Sequence, residues 1–349
     1  MDNRQDASLQ AGHFNDFAQV AQIRSALCSA LRDQPDGLSH ERVAQEVTAA
    51  LGLELEEYAQ HPGVKFSQRD MVERALRAVV EYRLYSDLKR GWRVTMPNME
   101  QVGLLVVRYV DLPEIAADAD SWADSHPALV TAPPELREEL ARIVLDEFRR
   151  VLAIDVDCLT QPGFERIQRE SRQHLRDPWL INDSERPEVV GTAFGRSGSA
   201  GAQRSDLNLS GRSALGRYLR RPQVLGPTLK ADDAQAVIIS LLGVLGSVGT
   251  LTEVVTDSAG NAGYRLKASS IRWTLGDGVH GAEDPLRRQF DSETLARVNP
   301  FFRDLYRDGG LGLAGLYARE HTAQVPPRST RGSAPSGSPG WGDPLRRDR

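Results

Sequence analysis

The chain has 349 residues, with 43 Lys and Arg against 48 Asp and Glu, so its formal net charge is −5. Its hydrophobic share of 40% and charged share of 26% match ordinary globular usage; this excludes collagen-like and wholly disordered classes, and the length suits two or three domains. Cys28 and Cys158 are its two cysteines, too few for a disulfide framework or a Cys-rich metal site, and they favour the reducing cytoplasm.

The first third of the chain has the pattern of three helices followed by strands. Apolar residues recur at helical spacing over three ranges: 14–31, 40–51 and 67–88. Short runs typical of strands follow at residues 91–95 and 104–110. Because three helices followed by strands is the order of a winged helix, we assign residues 11–112 to a helical, winged-helix-like module.

The middle of the chain, residues 113–189, predicts a helical connector. The clearest helix covers residues 134–152, with Pro and acidic residues at its positive end and with Arg149 and Arg150 at its negative end. A second amphipathic helix covers residues 164–175. The connector should therefore be held together by helix packing rather than by a sheet.

Composition changes at residues 190–211, which are rich in Gly, Ser and Arg and predict a loop or mobile linker. The overlapping range 196–230 holds seven basic residues and one acidic residue, so positive charge is concentrated there. An apolar helix is predicted over residues 233–245, and strand–turn–strand alternation over 251–275 predicts a wing-like hairpin. Residues 212–284 therefore form a second predicted winged-helix-like module.

The sequence lacks the patterns of common catalytic and metal sites. Residues 246–250 are glycine-rich, but the Lys and hydroxyl residue of a phosphate-binding loop do not follow. Glu320-His321 lacks the second His of a zinc-protease motif. Asp155 and Asp157 would share one face of a strand, but without a third group a solvated strand edge is the simpler interpretation. We predict no catalytic residue, no bound cofactor and no metal site in this chain.

Basic residues that recur beside aromatic side chains are the candidate nucleic-acid contacts. They are Lys89, Arg90, Arg93, Arg217, Arg220, Arg221, Arg265, Lys267 and Arg272, the last three assigned to the second hairpin. Cations at such positions neutralise phosphates and release counterions. For any one cluster a solvated charged face is the simpler alternative, but the recurrence favours nucleic acid. The sequence pI of 5.9 indicates that binding is local and salt-sensitive.

Four segments carry a resemblance to a known family. They are Tyr82–Gln101, Leu152–Asp157, Ser171–Trp179 and Asn299–Tyr306, the last followed by Arg319–Pro327. Together they resemble the middle of very large bacterial DEAD/DEAH-box helicases of superfamily 2, the region between the two RecA-like motor domains. The resemblance covers residues 11–327.

The resemblance implies ATP-driven translocation or unwinding of nucleic acid, with ATP and Mg²⁺ as the cofactors of the full-length family. We expect the nucleic-acid partner to be DNA rather than RNA. The ATPase motifs are absent from this sequence, so the chain is expected to supply contacts and scaffold, to be inactive alone as an ATPase, and to work with motor domains in cis or trans. Residues 285–327 would begin the second RecA-like domain. That position adds His321, Thr322 and Gln324 as candidate contacts.

The last residues, 328–349, change abruptly to Arg, Gly, Ser and Pro. We predict a disordered tail and hypothesise that a GC-rich gene is read there out of frame; a natural low-complexity tail is the alternative. Reading the DNA beyond codon 327 in the other two frames tests the hypothesis.

The predicted fold is mainly α with small β-hairpins (α+β): two winged-helix-like modules joined by helices, with a disordered C-terminal tail. The leading function is a helicase fragment. The alternatives are a stand-alone winged-helix nucleic-acid-binding protein, a protein-interaction module that docks on a separate motor, and a degraded gene product. Without a signal-peptide pattern or an apolar run of membrane-spanning length, we expect a cytoplasmic protein with no membrane partner.

Overall fold

The structure is a computed structural model. It describes residues 19–89, 97–188, 190–196, 206–226, 228–286 and 298–308. These ranges belong to one compact unit, Met1–Gly312, whereas a second unit, Leu313–Arg349, contains none of them. The fold is mixed α/β, about 51% helix and 13% strand, which confirms the predicted helical character with small sheets. The predictions for residues 91–95 and 328–349 lie outside the described residues.

The helices are α1 (19–32), α2 (His40–Ala50), α3 (Leu55–Tyr58), α4 (Ser67–Asp87), α5 (Leu112–Ala117), α6 (Ala119–Trp122), α7 (Pro127–Val130), α8 (Pro134–Arg150), α9 (Gln161–His174), α10 (Ala214–Leu219), α11 (Ala231–Ser247) and α12 (Pro300–Arg307). The strands are β1 (Leu38–Ser39), β2 (Leu105–Tyr109), β3 (Ile154–Asp155), β4 (Ala193–Phe194), β5 (Leu207–Asn208), β6 (Leu251–Thr256), β7 (Ala262–Lys267) and β8 (Ile271–Leu275). None of these helices is both long and apolar enough to cross a membrane.

Helix α4 is the centre of the N-terminal part. Leu76, Val79 and Val80 recur on one side and are buried, and this face packs α4 against α2 and α9. Helix α8 begins with Pro at its first position, where a missing N–H costs nothing. It buries a stripe that includes Val144 and Phe148. The predicted periodic helices over 67–88 and 134–152 are thus α4 and α8.

The first sheet has three antiparallel strands in the order β1–β8–β2. Leu38, Trp273 and Val107 lie opposite one another on its inner face, and all three are buried. Trp273 packs edge-on against Tyr85 of α4, with ring centroids 5.7 Å apart. The inner face of this sheet is therefore part of the α4 core.

The second sheet is built around β7. Strand β6 pairs with β7 along its length as an antiparallel hairpin, as predicted. On the opposite edge of β7, parallel β3 pairs with Leu266 and Lys267, and antiparallel β4 pairs with Gly263 and Tyr264. Strand β5 continues the sheet beside β4.

Two boundaries differ from the prediction. Strand β8 does not continue the β6–β7 hairpin, because a 3-10 turn, Ala268–Ser270, redirects the chain and β8 pairs with β1 and β2 instead. The physical reason is burial: Ile271 and Trp273 place apolar side chains on one face of β8, and this face is buried in the α4 core, where Trp273 packs on Tyr85. The predicted modules 11–112 and 212–284 thus share one sheet.

The second difference lies at the ends of the predicted linker, 190–211, which contain β4 and β5. Phe194 is buried, and a Cβ at Gly263 would lie 2.6 Å from its ring. Close backbone approach at this glycine lets β4 add to the sheet. Local composition does not predict β4 because its partner β7 lies about seventy residues away in the chain. Strand β5 in turn depends on β4, with which it pairs. Residues 197–205 lie outside the described part.

Candidate nucleic-acid interface

Helix α10 carries the densest group of candidate cations and is held tightly in place. The Ser213 hydroxyl caps it by accepting a hydrogen bond from the Gly216 N–H at 3.3 Å. A Cβ at Gly211 would lie 1.8 Å from the carbonyl oxygen of Ala231, so the turn before α10 presses against the start of α11. Tyr218 donates a hydrogen bond from its hydroxyl to Glu139 of α8 at 2.6 Å, and burial together with this acceptor raises the pKa of Tyr218.

Four arginines surround this helix, and we call them the α10 cluster: Arg212, Arg217, Arg220 and Arg221. Arg217 and Arg220 donate hydrogen bonds to backbone carbonyls within the same segment, at 3.1 and 3.2 Å. Arg221 lies over the Tyr218 ring, 5.0 Å from its centroid. Among the described residues, none of the four forms an ion pair with a carboxylate.

Arg265 and Lys267 form a second basic group on β7. They lie two positions apart, so both are on the same face of the strand. Tyr264 and Leu266 point to the opposite face, where a Cβ at Gly246 of α11 would lie 3.6 Å from the Tyr264 ring. The two cations are therefore on the other face of β7 from Tyr264, and the Lys267 ammonium reaches the end of α11, 3.5 Å from a Cβ placed at Gly249.

The prediction that Arg272 lies in the hairpin with Arg265 and Lys267 is wrong. It lies on β8 in the other sheet, directly opposite Arg108 of β2 and Ser39 of β1. Arg108 is not among the predicted contacts. Its sequence signal is that it is the one charged residue in the apolar run 104–110, and the structure places it at an exposed position of β2.

Other predicted contacts are neutralised or lie outside the described residues. The Lys89 ammonium pairs with Glu188 at 2.5 Å. Arg196, part of the basic range 196–230, pairs with Asp257 and covers the Phe194 ring, 4.1 Å from its centroid. The candidates outside the described part are Arg90, Arg93, His321, Thr322 and Gln324.

The described residues do not assemble a paired-carboxylate site. Asp155 and Asp157 do not face one another: Asp155 is exposed opposite Lys267, and Asp157 forms an ion pair with Arg166. In the described ranges, no group of three or more His, Cys, Asp or Glu side chains could hold a metal ion. The basic side chains described above are therefore the candidate features of this part of the chain.

No family model, curated protein or solved structure matches the chain. The case for function therefore depends on the geometry and charge of the described residues and on the sequence resemblance. Of the three basic groups, the α10 cluster combines the highest charge with the firmest support from neighbouring elements.

Both cysteine thiols should be unreactive in the native protein. Cys28 and Cys158 are buried; burial raises the pKa of Cys28 to about 11 and that of Cys158 well above its ordinary value. Since the thiolate is the nucleophile, a disulfide reagent such as DTNB should modify both only slowly at neutral pH and rapidly in denaturant. Rapid modification of either thiol in the folded protein would contradict the structure; Cys28→Ser and Cys158→Ser variants identify which one reacts.

Proposed function

We propose that this chain supplies nucleic-acid contacts and scaffold to an ATP-dependent helicase of the DEAD/DEAH-box type and hydrolyses no ATP by itself. The α10 cluster carries the proposal: four arginines on one short, firmly packed segment, without a carboxylate partner in the described part. The resemblance of the four segments to the region between helicase motor domains gives the proposal its family. We propose DNA over RNA as the partner.

The physical case rests on the cost of gathering like charges. Four neighbouring guanidinium groups repel one another, and a phosphate backbone removes that repulsion while releasing its own counterions. Backbone phosphates accept from Arg without regard to base sequence. The chain is acidic overall, so attraction is confined to such basic surfaces and falls steeply with salt.

Substituting Arg217, Arg220 and Arg221 together with Ala should weaken binding of a labelled duplex DNA and flatten its salt dependence. The slope of log K against log salt should become shallower by about 0.9 for each phosphate that the variant no longer neutralises. A matched control triple replaces Arg42, Arg69 and Arg172, whose side chains are 53%, 59% and 50% exposed but paired with Glu46, Glu73 and Asp183. Fluorescence anisotropy over a salt series measures the affinity and the salt slope of the two variants.

The control triple carries the same change of net charge as the α10 triple. Equal loss of affinity in the two would mean that total charge, not the α10 cluster, governs binding, and it would refute the proposed interface. ATP hydrolysis by the purified chain, lost on unfolding, would refute the proposed division of labour. Measuring the affinity for a single-stranded DNA and an RNA of the same sequence shows which nucleic acid the chain prefers.

The winged-helix assignment remains a proposal. Its support is that the β6–β7 hairpin follows α11 directly, as a wing follows its helix, and that it presents Arg265 and Lys267 on one face. A stand-alone winged-helix protein would need this hairpin for DNA binding. The variant Arg265→Ala/Lys267→Ala should then lower the salt slope, and an unchanged slope would remove the wing from the interface.

A second candidate function is docking on a separately encoded motor protein. Its support is apolar exposure: Ile239 on α11 is 54% exposed and Val255 on β6 is 46% exposed, and a surface cleft of about 200 Å³ lies between α11 and the hairpin. The protein to test is one encoded by a neighbouring gene, if that gene carries the ATPase motifs. Its co-purification with the wild-type chain, and not with Ile239→Asp, would favour docking.

A further inference from the structure

We propose that Arg108, Arg272 and Ser39 form a phosphate-binding site on the outer face of the first sheet, separate from the α10 cluster. We call these three residues the β8 row. They lie in register across three antiparallel strands: Ser39 of β1 opposite Arg272 of β8, and Arg272 opposite Arg108 of β2. Residues directly opposite in such strands project from the same face, with Cα atoms about 4.5–5.5 Å apart.

The neighbouring row fixes which face this is. Leu38, Trp273 and Val107 are one position along in each strand, and they are buried in the core. Because side chains alternate along a strand, the β8 row points outward. Arg108 is accordingly exposed and Arg272 half-buried.

The charge of the row is not balanced. Like charges directly opposite on adjacent strands destabilise a sheet, yet neither Arg108 nor Arg272 has a carboxylate partner in the part of the chain that the structure describes. Elsewhere in the chain, exposed arginines such as Arg42 and Arg166 do have one. An anion between the two guanidinium groups would convert the repulsion into binding energy.

The donor set favours phosphate over a carboxylate. One Arg fork satisfies both oxygens of a carboxylate, whereas two forks on adjacent strands suit the several oxygens and higher charge of a phosphate group. The Ser39 hydroxyl is a further donor beside Arg272, since it makes no capping hydrogen bond to α2. The phosphate can belong to a nucleic-acid backbone or to free phosphate, and the experiment separates these sources.

The test compares the full-length wild type with Arg108→Gln/Arg272→Gln, which removes both charges and keeps side-chain length. Inorganic phosphate should raise the melting temperature of the wild type more than chloride at equal ionic strength, and the double variant should lose this difference. Calorimetric phosphate affinity should fall by about tenfold or more, since the variant removes two charge-assisted donors. Arg42→Gln/Arg69→Gln, with the same charge change at paired arginines, should keep the wild-type response.

Labelled duplex DNA gives the second arm. Loss of both phosphate and DNA affinity in the double variant identifies a backbone phosphate, and loss of phosphate affinity alone identifies free phosphate; both support the site. The site is refuted if the wild type responds to phosphate as it does to chloride, or if the double variant keeps the response. A third outcome separates this site from the proposed function. If the α10 triple variant loses DNA binding, the Arg108→Gln/Arg272→Gln variant keeps it and the wild type shows no specific phosphate response, the proposed function stands and this site is refuted.

Discussion

Replacing Arg149 with Met is expected to lower the free energy of unfolding by about 3–5 kcal/mol, because it removes one partner of a buried ion pair. Arg149 is 1% exposed, and its two terminal nitrogens donate to Glu100 at 2.6 and 3.1 Å. One of them also donates to Asp146 at 2.6 Å, and Nε donates to the Tyr109 hydroxyl at 2.8 Å. Without the guanidinium, the buried Glu100 carboxylate loses its cation.

The matched control is Arg142→Met on the same helix. Arg142 also contacts Asp146, at 3.6 Å, but its side chain is 43% exposed, so the expected loss is below about 1 kcal/mol. The double variant Arg149→Met/Glu100→Leu removes the buried Arg149–Glu100 pair and leaves Asp146 with Arg142 and the Tyr109 hydroxyl, so it should recover part of the stability lost in the single variant. Urea unfolding followed by circular dichroism measures all three; equal losses at Arg149 and Arg142 would contradict the buried network.

The bounds of α8 can be predicted from the sequence, but the ion-pair partner of Arg149 cannot. The bounds of α8 are local information, since Pro at the start and an apolar stripe of helical period are visible in the sequence. From the sequence, Arg149 in the last turn is predicted to interact with the helix dipole. Its actual partner, Glu100, is 49 residues away in the chain, and no local pattern encodes that pairing.

The two proposed basic surfaces also differ in how far they can be predicted from the sequence. The α10 cluster could be found from composition because its four arginines are close in sequence. The β8 row could not, because Ser39, Arg108 and Arg272 come from three distant segments that only strand register brings together. The hairpin prediction for Arg272 failed at one short turn, Ala268–Ser270, which moves β8 from one sheet to the other.

Replacing Trp273 with Ala is expected to cost about 3–5 kcal/mol, the usual loss for a large aromatic side chain in a core. Trp273 is fully buried, lies between Leu38 and Val107 in register and packs on Tyr85. Its Nε1 has no hydrogen-bond partner within the described ranges, so the loss measures packing. Urea unfolding gives the magnitude, and Leu275→Ala, on the same strand but 42% exposed, should cost less than about 1 kcal/mol.

The segments that lose hydrogen-exchange protection in the Trp273→Ala variant show whether β8 pairs with β1 and β2 or with the hairpin. Because β8 is the central strand of the first sheet, loosening it should expose the amides of β2 and of α4, which are more than a hundred residues away in the chain. Hydrogen exchange of the Trp273→Ala variant under native conditions should therefore show reduced protection in Leu105–Tyr109 and in the second half of α4. If protection fell in β6 and β7 alone, β8 would belong to the hairpin, and the β8 row with its phosphate site would have no structural basis.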